Sequence, residues 1–484
     1  MIISRQFGLS AELDVFNAAN NLPDMLFMLI SGGALAIAFI PVLTEALTKE
    51  GRGKAWDLFS NILNIAFLLT AAAAIIIAVF ARPLVTSQLG IAPGFTEAQT
   101  VDTIRLLRLN LISTLIFSLS GLAMAGLQAN QHFLLPALAP ILYDVGQIFG
   151  ALVLAPTEPL KFGPVRLPAF GFGVDGLVYG VIIGALLHLL IQVPGLIKYQ
   201  FRWHPRVDFK EPYTRKVLRL MGPRLVSMLF IQLIFLAQDN LGSRLTEGSV
   251  SALTYGWWIM QVPQTLIGTS IATAILPTLS EMFSNQQFDL LKERIERAAR
   301  VMITLTVPVA IVAGMVLMPV VRLFLGLDEA GTLRVANTSQ IFLLGIVGHS
   351  LVELFVRSFY ALQKPRVPLI GSAFTLVVFI LLGIVLSPML EAVGIAAANT
   401  IAYTLQTLLL LILLRKTLPE PLRLGKTTLK SLLAAALGGA AAYAVVNWAP
   451  KLAGSLIGAV AAFGVGILLA ALILRKDLRE IADL

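Results

Sequence analysis

Asp14, Asn17, Asn21 and Asp24 recur at i, i+3, i+7 and i+10, which places two carboxylates and two amides on a single stripe of one helix. In an apolar helix such a stripe either lines a water-filled cavity that takes up a polar solute, or hydrogen-bonds to a neighbouring helix. A second row, Ser251, Tyr255, Trp258 and Val262, follows helical spacing, with Trp257 and Gln261 beside it. A hydroxyl, a phenol and an indole on one face offer hydrogen bonds and an aromatic wall. Gln238, Asp239 and Asn240 interrupt another apolar helix, and Asn399 and Thr400 interrupt a third. Arg224 and Arg357 lie inside apolar stretches, where they either reach a cavity or snorkel to the interface; Arg105 and Arg108 stand near a helix end.

The elements that carry these residues are membrane spans. The chain has 484 residues, 57% hydrophobic and only 13% charged, with mean hydropathy +0.85, too little polar material to cover a water-soluble surface. Apolar runs such as Ile62 to Phe80, Leu177 to Val193 and Leu452 to Leu474 approach or exceed the roughly 20 residues that a helix needs to cross the hydrocarbon core. The short alternating segments of a membrane β-barrel are missing, so the expected fold class is all-α and polytopic. About thirteen spans are expected, at 14–47, 57–81, 101–127, 133–155, 172–197, 215–244, 250–281, 298–325, 336–362, 367–388, 391–414, 428–448 and 452–474.

Basic residues cluster on alternate loops, at Lys49 to Lys54, Lys198 to Arg219, Lys292 to Arg300, Lys364 and Arg366, Arg415 to Lys430 and Arg475 to Arg479. Arg82, Lys161, Arg166, Arg334 and Lys451 are scattered thinly on the other side. This asymmetry is the positive-inside pattern and puts the C-terminus in the cytoplasm. It also accounts for the net charge of +9, so no nucleic-acid partner is expected. With no cysteine in the chain, thiol chemistry is excluded. No Gly-rich phosphate loop, nucleophile elbow or metal-ligand cluster is visible, so neither ATP-driven transport nor membrane-enzyme chemistry has residues to stand on, and no catalytic residues, cofactor or resident metal are expected. An odd number of spans leaves Met1 outside the cell, and Met1 to Gly8 reads as the end of a helix; a first helix is expected to be missing here or to lie upstream.

An internal repeat organises the spans. Ala38-Phe39-Ile40-Pro41-Val42-Leu43-Thr44-Glu45 recurs as Ala274-Ile275-Leu276-Pro277-Thr278-Leu279-Ser280-Glu281, and Gly126-Leu127-Gln128 recurs as Ala361-Leu362-Gln363, followed by Pro136 and Pro368. Two six-helix lobes of parallel topology follow, the first one helix short, at 1–200 and 201–418, with an additional helix pair and tail at 419–484. Duplicated halves of this kind are a transporter architecture.

Leu13-Asp14-Val15-Phe16 followed by Asn21-Leu22-Pro23-Asp24 resembles the TDAF…LPN segment of the MurJ/MviN family, in the MOP exporter superfamily. Ala92-Pro93-Gly94-Phe95, Leu127-Gln128-Ala129-Asn130, Leu220-Met221-Gly222-Pro223-Arg224 and Gly248-Ser249-Val250-Ser251-Ala252-Leu253 are similar to further family blocks in the same order. The resemblance implies two lobes around a central cavity, two extra C-terminal helices, and a flippase that moves lipid II, the undecaprenyl-pyrophosphate-linked peptidoglycan precursor, across the bacterial cytoplasmic membrane by alternating access. It implies a role in cell-wall synthesis and cell shape, with membrane lipids and the cell-wall synthesis machinery as partners.

Under that resemblance the substrate cavity takes Asp14, Asn17, Asn21, Asp24, Ser251, Tyr255, Trp258 and Gln261, with Arg224, Arg357, Arg105 and Arg108 as candidate headgroup cations. The family's sodium site corresponds to Gln238, Asp239 and Asn240 with Asn399 and Thr400; the helix between them offers Ser372 and Thr375. That helix lacks the family's Asn and acidic ligands, so sodium and the membrane potential stand as alternative candidate couplings. The chain departs from the family where an arginine and a glutamate stand in a DRLMEFP-like run: Trp258 and Gln261 occupy those places, and Phe27 and Met28 replace an arginine pair. Two other readings stay open: an exporter of another polysaccharide-lipid or amphiphile, and a non-transporting membrane scaffold.

Overall fold

Long apolar runs become helices here because lipid offers the backbone no hydrogen-bond partner, and a helix satisfies every N–H and C=O within one segment. The computed structural model describes residues 2–29, 34–159, 161–162, 165–448 and 456–478. Among these, ten helices are long and apolar enough to cross a membrane. The strands present are a two-residue pair, Lys161–Phe162 against Val165–Arg166.

The contacts divide the chain into two compact units, Ser10–Arg244 and Ile3–Leu9 with Leu245–Leu484. The first unit contains α2 (Ala11–Phe27), α3 (Ala34–Lys49), α4 (Arg52–Val79), α5 (Ala81–Thr86), α6 (Glu97–Ala129), α7 (Leu134–Phe149), α8 (Val174–Leu190), α9 (Val193–Lys198) and α10 (Pro212–Gly242). The second contains the short α1 (Ile2–Phe7), then α11 (Ser249–Gln264), α12 (Ser270–Ser284), α13 (Phe288–Leu325), α14 (Glu329–Ala361), α15 (Arg366–Arg415), α16 (Gly425–Trp448) and α17 (Leu456–Leu478). The units are drawn by packing and the expected lobes by repeat, so they differ at one helix. By sequence α10 opens the second lobe, yet it packs on α3, where Val217 joins Phe39, Leu43, Phe59 and Leu122 in one apolar cluster. The residues of α1 pack in the second unit, where Arg5 donates to the Leu323 carbonyl at 2.8 Å.

Burial runs opposite to that of a water-soluble protein. Ile75, Ile76, Leu381 and Leu468 are exposed, while Thr103, Asn110, Ser113, Thr114, Ser118 and Ser120 of α6 are buried. Without a hydrophobic drive between helices, association rests on close packing and hydrogen bonds. Accordingly α7 and α8 meet through glycine: a Cβ on Gly146 would lie 2.3 Å from the Cα of Gly184. The expected C-terminal pair, α16 and α17, docks on α13 through Val312, Val316, Ala442, Ala459 and Ala462.

The expected spans 367–388 and 391–414 share one continuous assignment, α15, divided at Glu391 by a left-handed backbone (φ 52°, ψ −136°). The Glu391 carboxylate accepts from Thr246 at 3.1 Å. The expected span 250–281 is continuous from α11 to α12 through a π-helical segment, Thr265–Thr269.

Four helices end in the same way. Gln131, Gln200, Gln286 and Gln363 have φ between 55° and 58°, just beyond α6, α9, α12 and α14. In each, the next N–H bonds back five residues: His132 to Leu127, Phe201 to Leu196, Gln287 to Met282 and Lys364 to Phe359, at 2.9–3.0 Å. This is the Schellman motif with glutamine where glycine is usual. The left-handed conformation costs a side-chain-bearing residue about 1–2 kcal/mol, and glycine loses about 0.5–1 kcal/mol more backbone entropy on folding. Gln363→Gly is therefore expected to raise stability by about 0.5–1 kcal/mol, and Gln363→Val to lower it, read as opposite shifts of the thermal midpoint in detergent.

Candidate functional site

Helix α2 opens on Ser10, whose Oγ accepts from the Leu13 N–H at 3.3 Å, a cap that fixes the rotation of the polar stripe. Asp14 is buried, Asn17 and Asn21 are half-buried and Asp24 is exposed. Asn21 donates from Nδ2 to Asp239 Oδ2 of α10 at 2.8 Å, and Asp14 lies close enough for its charge to act on Asp239. One position from the stripe, Asn20 accepts from Asn110 of α6 at 2.6 Å. Asn21 of the stripe thus ties α2 to α10, Asn20 beside it ties α2 to α6, and Asp24 is left exposed.

In the second unit Ser251 and Tyr255 of α11 are buried, whereas Trp258 and Gln261 are exposed. Tyr255 and Trp258 meet edge to face with centroids 6.0 Å apart. Trp257 faces elsewhere, against Phe342 and His349. His349 stacks on Tyr403 with centroids 3.7 Å apart, and its Nε2 pairs with Asn399 Oδ1 at 3.0 Å. Sequence reasoning did not assemble this group, because helical period marks a face but not the neighbour across it. The same holds for His188, which bonds Ser120 through Nδ1 at 2.5 Å beside Gln192.

The candidate cations carry counter-charges or backbone bonds. Arg357 pairs with Glu353 and donates to Thr273 at 3.2 Å. Arg105 bonds Asp175 at 2.6 Å and Asp102 at 2.8 Å, and Arg108 donates to the Ala78 carbonyl at 3.0 Å. Arg224 belongs to α10, and its side chain lies outside the described residues.

The five residues expected at an ion site are split between the units: Gln238, Asp239 and Asn240 belong to the first, Asn399 and Thr400 to the second. A hard cation needs several oxygens. Asn399 Oδ1 is engaged by His349, and Thr400 and Thr375 donate to the carbonyls of Ile341 and Gly371. Asn240 uses its amide to hold the Gln88 and Gly90 carbonyls. In the first unit Gln238 Oε1 and Asn21 Oδ1 are buried without a hydrogen-bond partner beside Asp239. The second-unit residues thus do not fit a sodium cage as they stand, and no transport step is assigned to that ion.

The family described as Lipid II flippase MurJ matches residues 3–459. The lipid II flippase MurJ of Burkholderia cenocepacia is 29% identical over 427 residues, 86% of this chain and 79% of that protein. In fold, the chain is similar to a solved lipid II flippase MurJ in an inward closed conformation, with TM-score 0.80 at 21% identity over 99% of this chain and 95% of that one. An inward-facing multidrug resistance MATE transporter of the MOP superfamily is similar at TM-score 0.72 and 14% identity, covering 86% and 92%.

Removing the Asn21 amide leaves Asp239 buried without its donor, a loss of about 1–3 kcal/mol. Asn21→Ala is expected to lower the thermal midpoint in detergent, and Asp239→Asn, which removes the charge, to lower it less. Equal losses would show that the α2–α10 bond does not govern this packing.

Proposed function

The chain belongs to the MurJ lipid II flippase family, and we propose that it moves lipid II from the cytoplasmic to the outer leaflet of the bacterial cytoplasmic membrane by alternating access. The observation that carries this reading is the family match, which runs from residue 3 to 459 and takes in both polar rows. A sugar–peptide headgroup on a pyrophosphate cannot cross hydrocarbon unassisted, because each unsatisfied polar group costs several kcal/mol there, about 2–7 by transfer measurements. The protein must replace water along the path, and Asp14, Asn17, Asn21, Asp24, Ser251, Tyr255 and Gln261 supply donors and acceptors for it.

Trp258 distinguishes this chain. An arginine there would hold the pyrophosphate by paired charge-assisted bonds; an exposed indole packed on Tyr255 gives an aromatic surface and one N–H donor instead. The headgroup is therefore held here by hydrogen bonds and ring contacts more than by charge. The same exposed indole favours a second reading, export of another amphiphile, which a direct test separates from the first.

Multi-pass insertion follows from the ten apolar helices. The basic loops place the C-terminus in the cytoplasm in this reading, and lipid-linked precursor, membrane lipids and the cell-wall synthesis machinery are its partners. The cycle is driven by the membrane potential in this reading, with a sodium gradient, whose expected second-unit ligands are engaged elsewhere, as the alternative; collapsing each in turn separates them.

Expression in a bacterium depleted of its own lipid II flippase is expected to restore growth, and Asp14→Ala and Ser251→Ala variants of equal abundance are expected to lose that rescue. A correctly inserted parent that fails to rescue sinks the lipid II reading. A fluorescent reporter fused after Leu484 checks the orientation: it should glow only if that end is cytoplasmic.

A further inference from the structure

The segment between α9 and α10, residues 199–211, is irregular in backbone yet firmly held. Trp56 Nε1 donates to the Tyr199 carbonyl at 3.0 Å. Asn61 donates to the Asp208 carbonyl at 2.8 Å and accepts the Asp208 N–H at 2.6 Å. Asn64 donates to the carbonyls of both His204 and Arg206 at 2.8 Å and accepts from the Trp203 indole at 2.8 Å. His204 Nδ1 lies 3.3 Å from Asp57. Arg206 and the Lys210 N–H bond the Asp208 carboxylate, holding its pKa below the usual carboxylate range. One helix, α4, thus supplies a side-chain partner to nearly every turn of this strap.

Those attachment points fix the strap's depth. From Asn64 to Val79 the helix α4 runs on for only about 22 Å at 1.5 Å per residue, less than the roughly 30 Å of a hydrocarbon core. The hydrocarbon therefore begins within the Trp56–Asn64 stretch to which the strap is bonded, and the strap lies where the headgroup layer meets it. What it exposes suits that layer. Trp203 is 56% exposed, Val207 46% and Phe209 51%, on a rigid segment that packs Phe201 inward against Trp56 and Phe59. Arg202, Lys210, Arg215 and Arg219 are exposed alongside them, while Arg206 and Lys216 carry counter-charges in Asp208 and Glu45. Indole and phenyl rings settle at the membrane–water interface, and clustered Lys and Arg beside a span attract anionic headgroups.

We infer that residues 199–219 form a docking surface for anionic phospholipid, with Trp203, Val207 and Phe209 set among the acyl-chain ends and Arg202, Lys210, Arg215 and Arg219 on the phosphates. That the leaflet is the inner one rests on the orientation proposed above; the lipid chemistry does not.

The test uses the full chain in nanodiscs with the same lipids on both faces, so its result is independent of orientation and of transport. The absence of cysteine permits a single Val207→Cys label carrying an environment-sensitive fluorophore. Replacing part of the phosphatidylcholine with phosphatidylglycerol is expected to shift the emission to the blue and to raise quenching by brominated phosphatidylglycerol about twofold over brominated phosphatidylcholine. The response should vanish in Arg202→Ala/Lys210→Ala/Arg215→Ala. A label at exposed Ser87→Cys should not respond. Raised salt should abolish the response of the parent label, a check that needs no second variant. Emission indifferent to phosphatidylglycerol, a response that survives neutralisation or salt, or an equal response at Ser87 would overturn the inference; indifference in discs that hold no partner protein would point instead to an acidic protein on this face.

Discussion

Everything in this molecule depends on the cost of leaving a polar group without a partner where there is no water. That cost makes the backbone helical, and it then governs the side chains. Ser, Thr and Asn of α6 turn inward to bond their own helix, α2 or α8, while Ile75, Ile76, Leu381 and Leu468 on other helices face outward. Where the chain leaves helical geometry it does so with its groups engaged: Glu391 reverses α15 with its carboxylate on Thr246, and the strap at 199–211 is bonded turn by turn to α4. Asn61 and Asn64 hold the irregular strap by taking up its backbone carbonyls and an N–H.

Charge follows the same rule. Glu353 accompanies Arg357, Asp102 and Asp175 accompany Arg105, and Glu296 takes up both Lys292 and Arg300. A flippase for a pyrophosphate-linked lipid has to pass a strongly anionic group through such a protein. Arg105 and Arg357 are tied to their own carboxylates, and in the function proposed above the headgroup then meets mainly neutral donors. Neutral donors bind less tightly than arginine, and weaker holding suits a carrier that must also release its cargo.

Sequence alone read most of the architecture, because span length and repeat are properties of the chain itself. The break near Glu391, the C-terminal pair and the stripe on α2 were all legible. Partners were not. Asn21 could be placed on a face by its spacing, but nothing in the period of α2 says that Asp239, more than two hundred positions away, receives its amide. Nor did the repeat reveal that α10, first helix of the second half by sequence, packs with the first half; homology between halves records descent, while packing is decided by which apolar faces meet. Nor does the period of α14 say that His349 is enclosed by Tyr403 and Asn399, which lie on another helix.

The exchange of opening segments has a consequence for biosynthesis. Residues 3–9 leave the ribosome well ahead of Leu323, Gly326 and Gly331, against which Arg5 and Leu9 settle and which are made more than three hundred residues later. The first unit, in turn, stays incomplete until α10 has been inserted. Early helices must therefore wait in the bilayer, or beside the insertion machinery, with polar groups such as Asn21 still unpaired. Assembly order, and not only final stability, constrains how polar those early helices can be.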